Sequence, residues 1–187
     1  MKRISLFIIA MSVLISLIGC DSNEHRSLKD YDDSDVAAIV RDKEITIGEM
    51  RFLYADEEVL SSIDDAVRME LMIQEAKKMN TDVPDKIDSM RKTWETMSLD
   101  DIEMENSQRS FIKSQARKLG MEPEEYFKEW IEITSVRSLY IMEYTQKAVR
   151  QLEASNDEEL AAYNKEVSEH LDELVKGNEK DIKILIR

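Results

Sequence analysis

Three kinds of side chain could do chemistry in this sequence: a single cysteine, two histidines and a surplus of carboxylates. A nucleophilic centre needs Ser or Cys within reach of a base that a third group orients. Cys20 is the only thiol, so a disulfide within one molecule is excluded. His25 stands alone in a polar stretch and reads as solvated. His170 falls on a helical face beside Glu166 and Glu169. Glu166-x-x-x-His170 puts two possible metal ligands on one helix side, but no second histidine joins them, and solvated helix surface is the plainer reading. The acidic runs "YDDSD", "DDIEMEN" and "NDEEL" lack the glycine-centred turn of a calcium loop and read as caps and solvated faces. No catalytic residue, metal, cofactor or nucleotide is expected, so the chain is not expected to be an enzyme.

Cys20 gains its meaning from what precedes it. Lys2 and Arg3 open the chain, and Ile4 to Ile18 follow as an apolar run broken only by serines. A membrane-spanning helix needs roughly 20 apolar residues, and this run is shorter. A charged start, a short apolar middle and a small residue before a break describe a secretory signal over residues 1–19. Leu17-Ile18-Gly19-Cys20 resembles the lipobox of bacterial lipoproteins. That resemblance implies cleavage before Cys20, diacylglycerol on its thiol, and a chain anchored to the extracytoplasmic face of the cell membrane. Stable anchoring takes more than one acyl chain, and a diacylglyceryl thioether carries two on one residue. Residues 20–34 are polar beyond the cysteine, without apolar period, and read as a lipidated flexible tether.

Loss of residues 1–19 would leave 168 residues and move the net charge from −14 to −16, because only Lys2 and Arg3 go with them. That length is enough for one domain with a real core, here residues 35–187. So acidic a chain is a poor partner for nucleic acid, whose phosphates need a basic face. It is also repelled by anionic lipid, which leaves the holding to the anchor. Only Gly48, Gly120, Gly177, Pro84 and Pro123 punctuate the part after residue 19. Few breakers among many Glu, Lys, Met and Leu residues favour long helices.

The elements follow from the pattern. Val36 to Val40 is β-branched, "RDKE" turns, and Ile45 resumes, which predicts a strand, a turn and a short return strand. Thr46 and Glu49 fit a capping box for a helix through Phe52, Leu53 and Val59. Ser62 and Asp65 predict the start of a central helix with Ala66, Met69, Ile73 and Ala76 on its apolar face. Pro84 suits the first turn of the next helix, with Ile87, Met90, Trp94 and Met97 on one side and a break at "SLDD" (98–101). A helix from about Glu105–Ser107 ends at Gly120. Pro123 starts a long helix to about Gln151, and Asn156 with Glu159 starts a last one, closed by Gly177. "DIKILIR", residues 181–187, alternates as a strand. A lone terminal strand leaves half its backbone groups unpaired, so pairing with Val36–Thr46 is expected, closing the helical domain between its termini. The fold class is mainly α with a small sheet.

"DVAAIVRDKEITIGEMRFLY" resembles the opening of the SurA and PrsA group of extracytoplasmic folding factors. "GMEPEEYFKEWIEITSVRSLYIMEY" resembles the later helix of the same chaperone module, and "DIKILIR" its closing strand. Two departures stand out. That group's first turn commonly carries Asn-Gly, whereas this chain has Arg41-Asp42, which suggests a looser or longer turn. The chain also has no room for the parvulin-type prolyl isomerase domain that many members carry. The resemblance implies ATP-independent binding of unfolded or partly folded polypeptides without isomerase activity. Methionine repacks around varied partners, and Met50, Phe52, Leu53, Met72, Met90, Trp94 and Met97 are the candidates for a peptide-binding surface. The competing expectation is a non-catalytic envelope protein docking one folded partner. A broad apolar cradle would favour the first, and a small patch with a polar rim the second.

Overall fold

The computed structural model describes residues 27–79, 81–150 and 156–186. Cys20 and the signal over 1–19 lie outside the described residues. The chain is mainly helical, with one three-stranded antiparallel sheet. Strand β1 (Val36–Val40) lies at the centre, flanked by β2 (Lys43–Thr46) and β3 (Ile182–Ile184). Ala38 faces Ile184 and Val40 faces Ile182, so the first and last strands pair as the alternation suggests. Past β3, the N–H groups of Leu185 and Ile186 both donate to the Ala37 carbonyl. Ile186 is buried while Lys183 and Leu185 point outward.

The hairpin between β1 and β2 is tighter than expected, since Arg41 and Asp42 alone connect the strands. Arg41 adopts φ 56°, a left-handed conformation that costs a non-glycine residue about 1–2 kcal/mol. Its side chain offsets that cost. The guanidinium donates to Gln74 Oε1, Glu75 Oε1 and Asn178 Oδ1, and the backbone N–H donates to the Asp181 carbonyl. One arginine thus joins the hairpin to the middle of the chain and to its end.

Helix α1 (Ile47–Leu53) begins with the expected capping box: Thr46 Oγ1 accepts from the Glu49 N–H and the Glu49 carboxylate from the Thr46 N–H. It does not run on through Val59. Tyr54 and Ala55 are extended, and a short helix α2 (Asp56–Val59) leads through a tight turn into α3 (Ile63–Lys78). Ser62 sits at the start of α3 but makes no capping hydrogen bond, because the chain arrives already wound in a turn at Leu60–Ser62. Helix α4 (Val83–Thr96) carries Pro84 in its first turn and stops before Met97. Helix α5 (Asn106–Leu119) ends at Gly120, whose φ of 69° is the left-handed stop expected of glycine. Helix α6 (Pro123–Ala148) is the longest, and α7 (Asp157–Gly177) is capped by Asn156. Gly177 is the last residue of α7, and Asn178 closes it by donating its amide to the Leu174 carbonyl.

Packing centres on α3 and α6, the most extensive helix pair. Tyr126 and Phe127 of α6 bury themselves with Leu99, Ile112 and Ala116. Further along, Ile131, Val136 and Leu139 meet Val83, Ile87 and Trp94 of α4. Tyr144 packs with Met72 and Ala76 of α3. The sheet and α1 also pack on α3: Ala38, Val40 and Ile45, with Ile47 and Met50 of α1, cluster with Val67 and Leu71.

Of the tether read over 20–34, residues 27–34 are seated on the domain, and 20–26 lie outside the described residues. Residues 28–30 form a turn capped by Ser27 and Asp30, and Leu28 and Tyr31 pack on the core. The Asp33 carbonyl accepts from the Gly48 N–H at 2.8 Å, and its carboxylate pairs with Arg51 at 2.6 Å. Polar composition hid this docking, because two apolar residues and two backbone bonds suffice to seat so short a piece. Among the described residues no helix is long and apolar enough to cross a membrane.

Candidate functional site

The clearest recess is a solvent-open groove of about 500 Å³ between β2, α1, α3 and α6. Ile45 comes from β2, Met50, Phe52 and Leu53 from α1, Ala66 from α3 and Ile133 from α6. Ala66 is small, so it leaves space where a larger side chain would fill it. Ile133 is 39% exposed, an unusual setting for a large apolar side chain facing others across a cleft. Lys43, Glu49, Glu70 and Arg137 supply the charged rim. Lys43 and Glu49 neutralise one another at 2.5 Å.

The groove depends on where α1 ends, and polar side chains from α5 and α6 decide that. The last carbonyls of a helix have no partner within it. Here the buried Gln115 amide donates to the carbonyls of Arg51, Phe52 and Tyr54. The Lys118 ammonium donates to those of Arg51 and Tyr54 and pairs with Asp56 at 3.0 Å. The Tyr126 hydroxyl donates to the Phe52 carbonyl at 2.8 Å, under a Phe52 ring 5.0 Å away. Burial pushes the Tyr126 phenol up to about 12, with Gln115 pulling slightly the other way. Burial also raises Asp56, but Lys118 and Arg51 outweigh it and hold this carboxyl below its ordinary value. A glutamine among Ile112, Ala116 and Leu119 was the available signal, since a buried amide needs partners.

The seven expected binding residues do not form one surface. Met50, Phe52 and Leu53 come together in the groove, with Met50 as its buried floor. Met72 and Trp94 are core residues, 5% and 3% exposed, packed on α6 from two sides. Met97 is half-buried between the α4 and α5 clusters, and Met90 is exposed on α4 away from the groove lining. Helical spacing alone cannot tell a face turned to a neighbouring helix from one turned to a ligand. Ile45 and Ile133, which line the groove, were read only as strand and helix pattern.

A second apolar recess of about 450 Å³ lies between α5, α6 and the 97–105 loop, where Phe111 meets Trp130 edge-on. Trp130 and Ile133 are three residues apart on α6 and therefore neighbours on its surface. The two recesses are one helical turn apart. The loop is held by Arg109, which donates to the Leu99 and Ile102 carbonyls, and by Glu124, which accepts from the Leu99 N–H.

Glu166 and His170 go to different partners. Glu166 pairs with Arg150 at 2.8 Å, and the His170 Nε2 shares a hydrogen bond with the buried Tyr144 hydroxyl at 2.8 Å. No cluster of three or more His, Cys, Asp or Glu side chains that could hold a metal occurs among the described residues. No protein family, no curated protein and no solved structure matches this chain.

Proposed function

We propose that this chain is a lipid-anchored protein of the extracytoplasmic membrane face that binds short apolar stretches of unfolded or partly folded polypeptides, without nucleotide and without prolyl isomerase activity. The observation that carries the reading is the open groove lined by Ile45, Met50, Phe52, Leu53 and Ile133. Its apolar lining suits side chains of many shapes, and the acidic exterior keeps such a surface from self-association. Its walls come from β2, α1, α3 and α6, elements of both halves of the chain. In this reading Cys20 carries the lipid.

The groove's size and charged rim favour a second reading, in which it receives one segment of a single folded partner at the envelope. One assay separates the two. The full chain in phosphatidylcholine nanodiscs is titrated with several unrelated fluorescein-labelled apolar peptides, and aggregation of a denatured secreted protein is followed by light scattering. Binding of most peptides with suppressed aggregation supports the first reading. Failure of every peptide at high micromolar concentration, with aggregation unchanged at several-fold excess, ends it. For the anchor, Cys20→Ala is expected to move the protein from the membrane to the soluble or secreted fraction and to abolish palmitate labelling. Unchanged membrane recovery would rule lipidation out.

A further inference from the structure

Arg137 follows Ile133 by one turn of α6 and lines the same groove. It is half-buried, and among the described residues it makes no hydrogen bond and no ion pair. Its charge is felt at the Tyr54 phenol, where it opposes the upward push of burial, but no bond joins them. Arg41, Arg51, Arg68, Arg91, Arg109 and Arg150 each hold a carboxylate. Arg117 also lacks an ion pair among the described residues, but it is exposed on α5, whereas Arg137 is half-buried. The chain is rich in carboxylates, yet among the described residues none pairs with this guanidinium beside the groove. The other rim charges are occupied: Lys43 and Glu49 pair together, and the Glu70 carboxylate accepts from the Gln74 amide at 2.8 Å.

A half-buried guanidinium beside apolar floor is costly until an anion meets it, and its planar fork matches a carboxylate with two parallel hydrogen bonds. At about 500 Å³ the recess holds a few side chains. Glu70 nearby disfavours a second negative group and is placed to accept an N–H.

Building on the peptide-binding reading above, we infer that the groove takes the C-terminal end of an apolar polypeptide. Its terminal carboxylate sits on Arg137 and its last side chains lie on Ile45, Phe52, Leu53 and Ile133. The ligand carries one negative charge at its end and none beside it.

The test uses the full chain in phosphatidylcholine nanodiscs and one fluorescein-labelled hexapeptide of serine, leucine and phenylalanine, made as the free acid and as the C-terminal amide. Anisotropy should show the acid binding about tenfold tighter, in line with a charge-assisted hydrogen-bonded pair. The advantage should shrink in high salt. Arg137→Met should erase the difference between acid and amide, whatever it does to the affinity they share, and Arg137→Lys should keep part of the difference. Glu70→Gln should strengthen acid binding slightly. Equal affinity of acid and amide for the unmutated chain overturns the inference and leaves apolar peptide binding standing. Binding of neither overturns both. Displacement of the acid by laurate at equal concentration would assign the groove to fatty carboxylates and overturn the peptide end. The acid–amide comparison needs no variant, so it stands even if Arg137→Met fails to fold.

Discussion

At the scale of single residues, a few polar side chains fix where elements end and how they join. Gln115 is 3% exposed and satisfies three carbonyls at the end of α1. Replacing it by leucine, which has similar bulk and no donors, leaves those carbonyls to Lys118 and Tyr126 alone. Gln115→Leu is expected to destabilise the fold by about 0.5–1.5 kcal/mol, read by denaturant unfolding, and to weaken peptide binding through Phe52 and Leu53. An unchanged unfolding midpoint would mean that water or Lys118 takes over the carbonyls. Arg41 belongs to the same class. Its left-handed φ was not legible in "VRDKE", because a turn's conformation there is decided by Gln74, Glu75 and Asn178, which lie far off in sequence. The capping box of Thr46 and Glu49 was legible, because both partners lie within one turn of each other.

At the scale of elements, the decisive junction is between the segment before β1 and the start of α1. A Cβ on Gly48 would stand 2.9 Å from the Asp33 carbonyl oxygen, and the Gly48 N–H already donates to that oxygen. Backbone cannot yield there as a flexible side chain could. Gly48→Ala is expected to loosen residues 27–35 from the domain while leaving most of the helical content in place. Limited proteolysis would show faster cleavage before Val36, and hydrogen exchange at Ile47 and Gly48 would rise. Equal protection in both proteins would contradict this close approach. The spans of α4, α5 and α6 follow from Pro84, Pro123 and Gly120 and were readable directly. The break between α1 and α2 was not, because no proline or glycine marks it. It exists because α5 and α6 bring donors to the carbonyls that a continuous helix would have kept for itself.

For the whole molecule, stability against pH follows from groups that tie distant elements together. Burial raises Glu75, but hydrogen bonds from Lys78 and Arg41 outweigh it and hold the carboxyl below its ordinary value. A carboxyl lowered on folding stabilises the folded state above its unfolded pKa, and that contribution is lost as the pH falls through the folded value. Asp56, lowered by Lys118 and Arg51 against burial, acts in the same direction. Tyr126 acts at the other end. Burial raises it to about 12, so its contribution is whole below the ordinary phenol value and is lost between about pH 10 and 12. Chemical unfolding across pH should therefore show decline below the ordinary carboxylate range and again above pH 10. Glu75→Gln should flatten the acid limb and Tyr126→Phe the alkaline one. An alkaline limb unchanged in Tyr126→Phe would place the loss elsewhere.

By itself the sequence determined what local chemistry can specify: a mainly helical chain with strands at both ends of its folded part, most helix boundaries, the caps at Thr46 and Asn156, and the glycine stop at Gly120. These rest on residues within a few positions of one another, where backbone geometry and side-chain type suffice. Only the tertiary structure decided which apolar faces meet each other and which meet solvent. Met72 and Trp94 went into the core while Ile45 and Ile133 came to line a groove, although all four carry the same kind of periodic signal. The end of α1, the left-handed turn at Arg41 and the unpaired guanidinium of Arg137 were settled there as well. Each depends on partners brought from remote parts of the chain, or on their absence, and no spacing along the sequence encodes that.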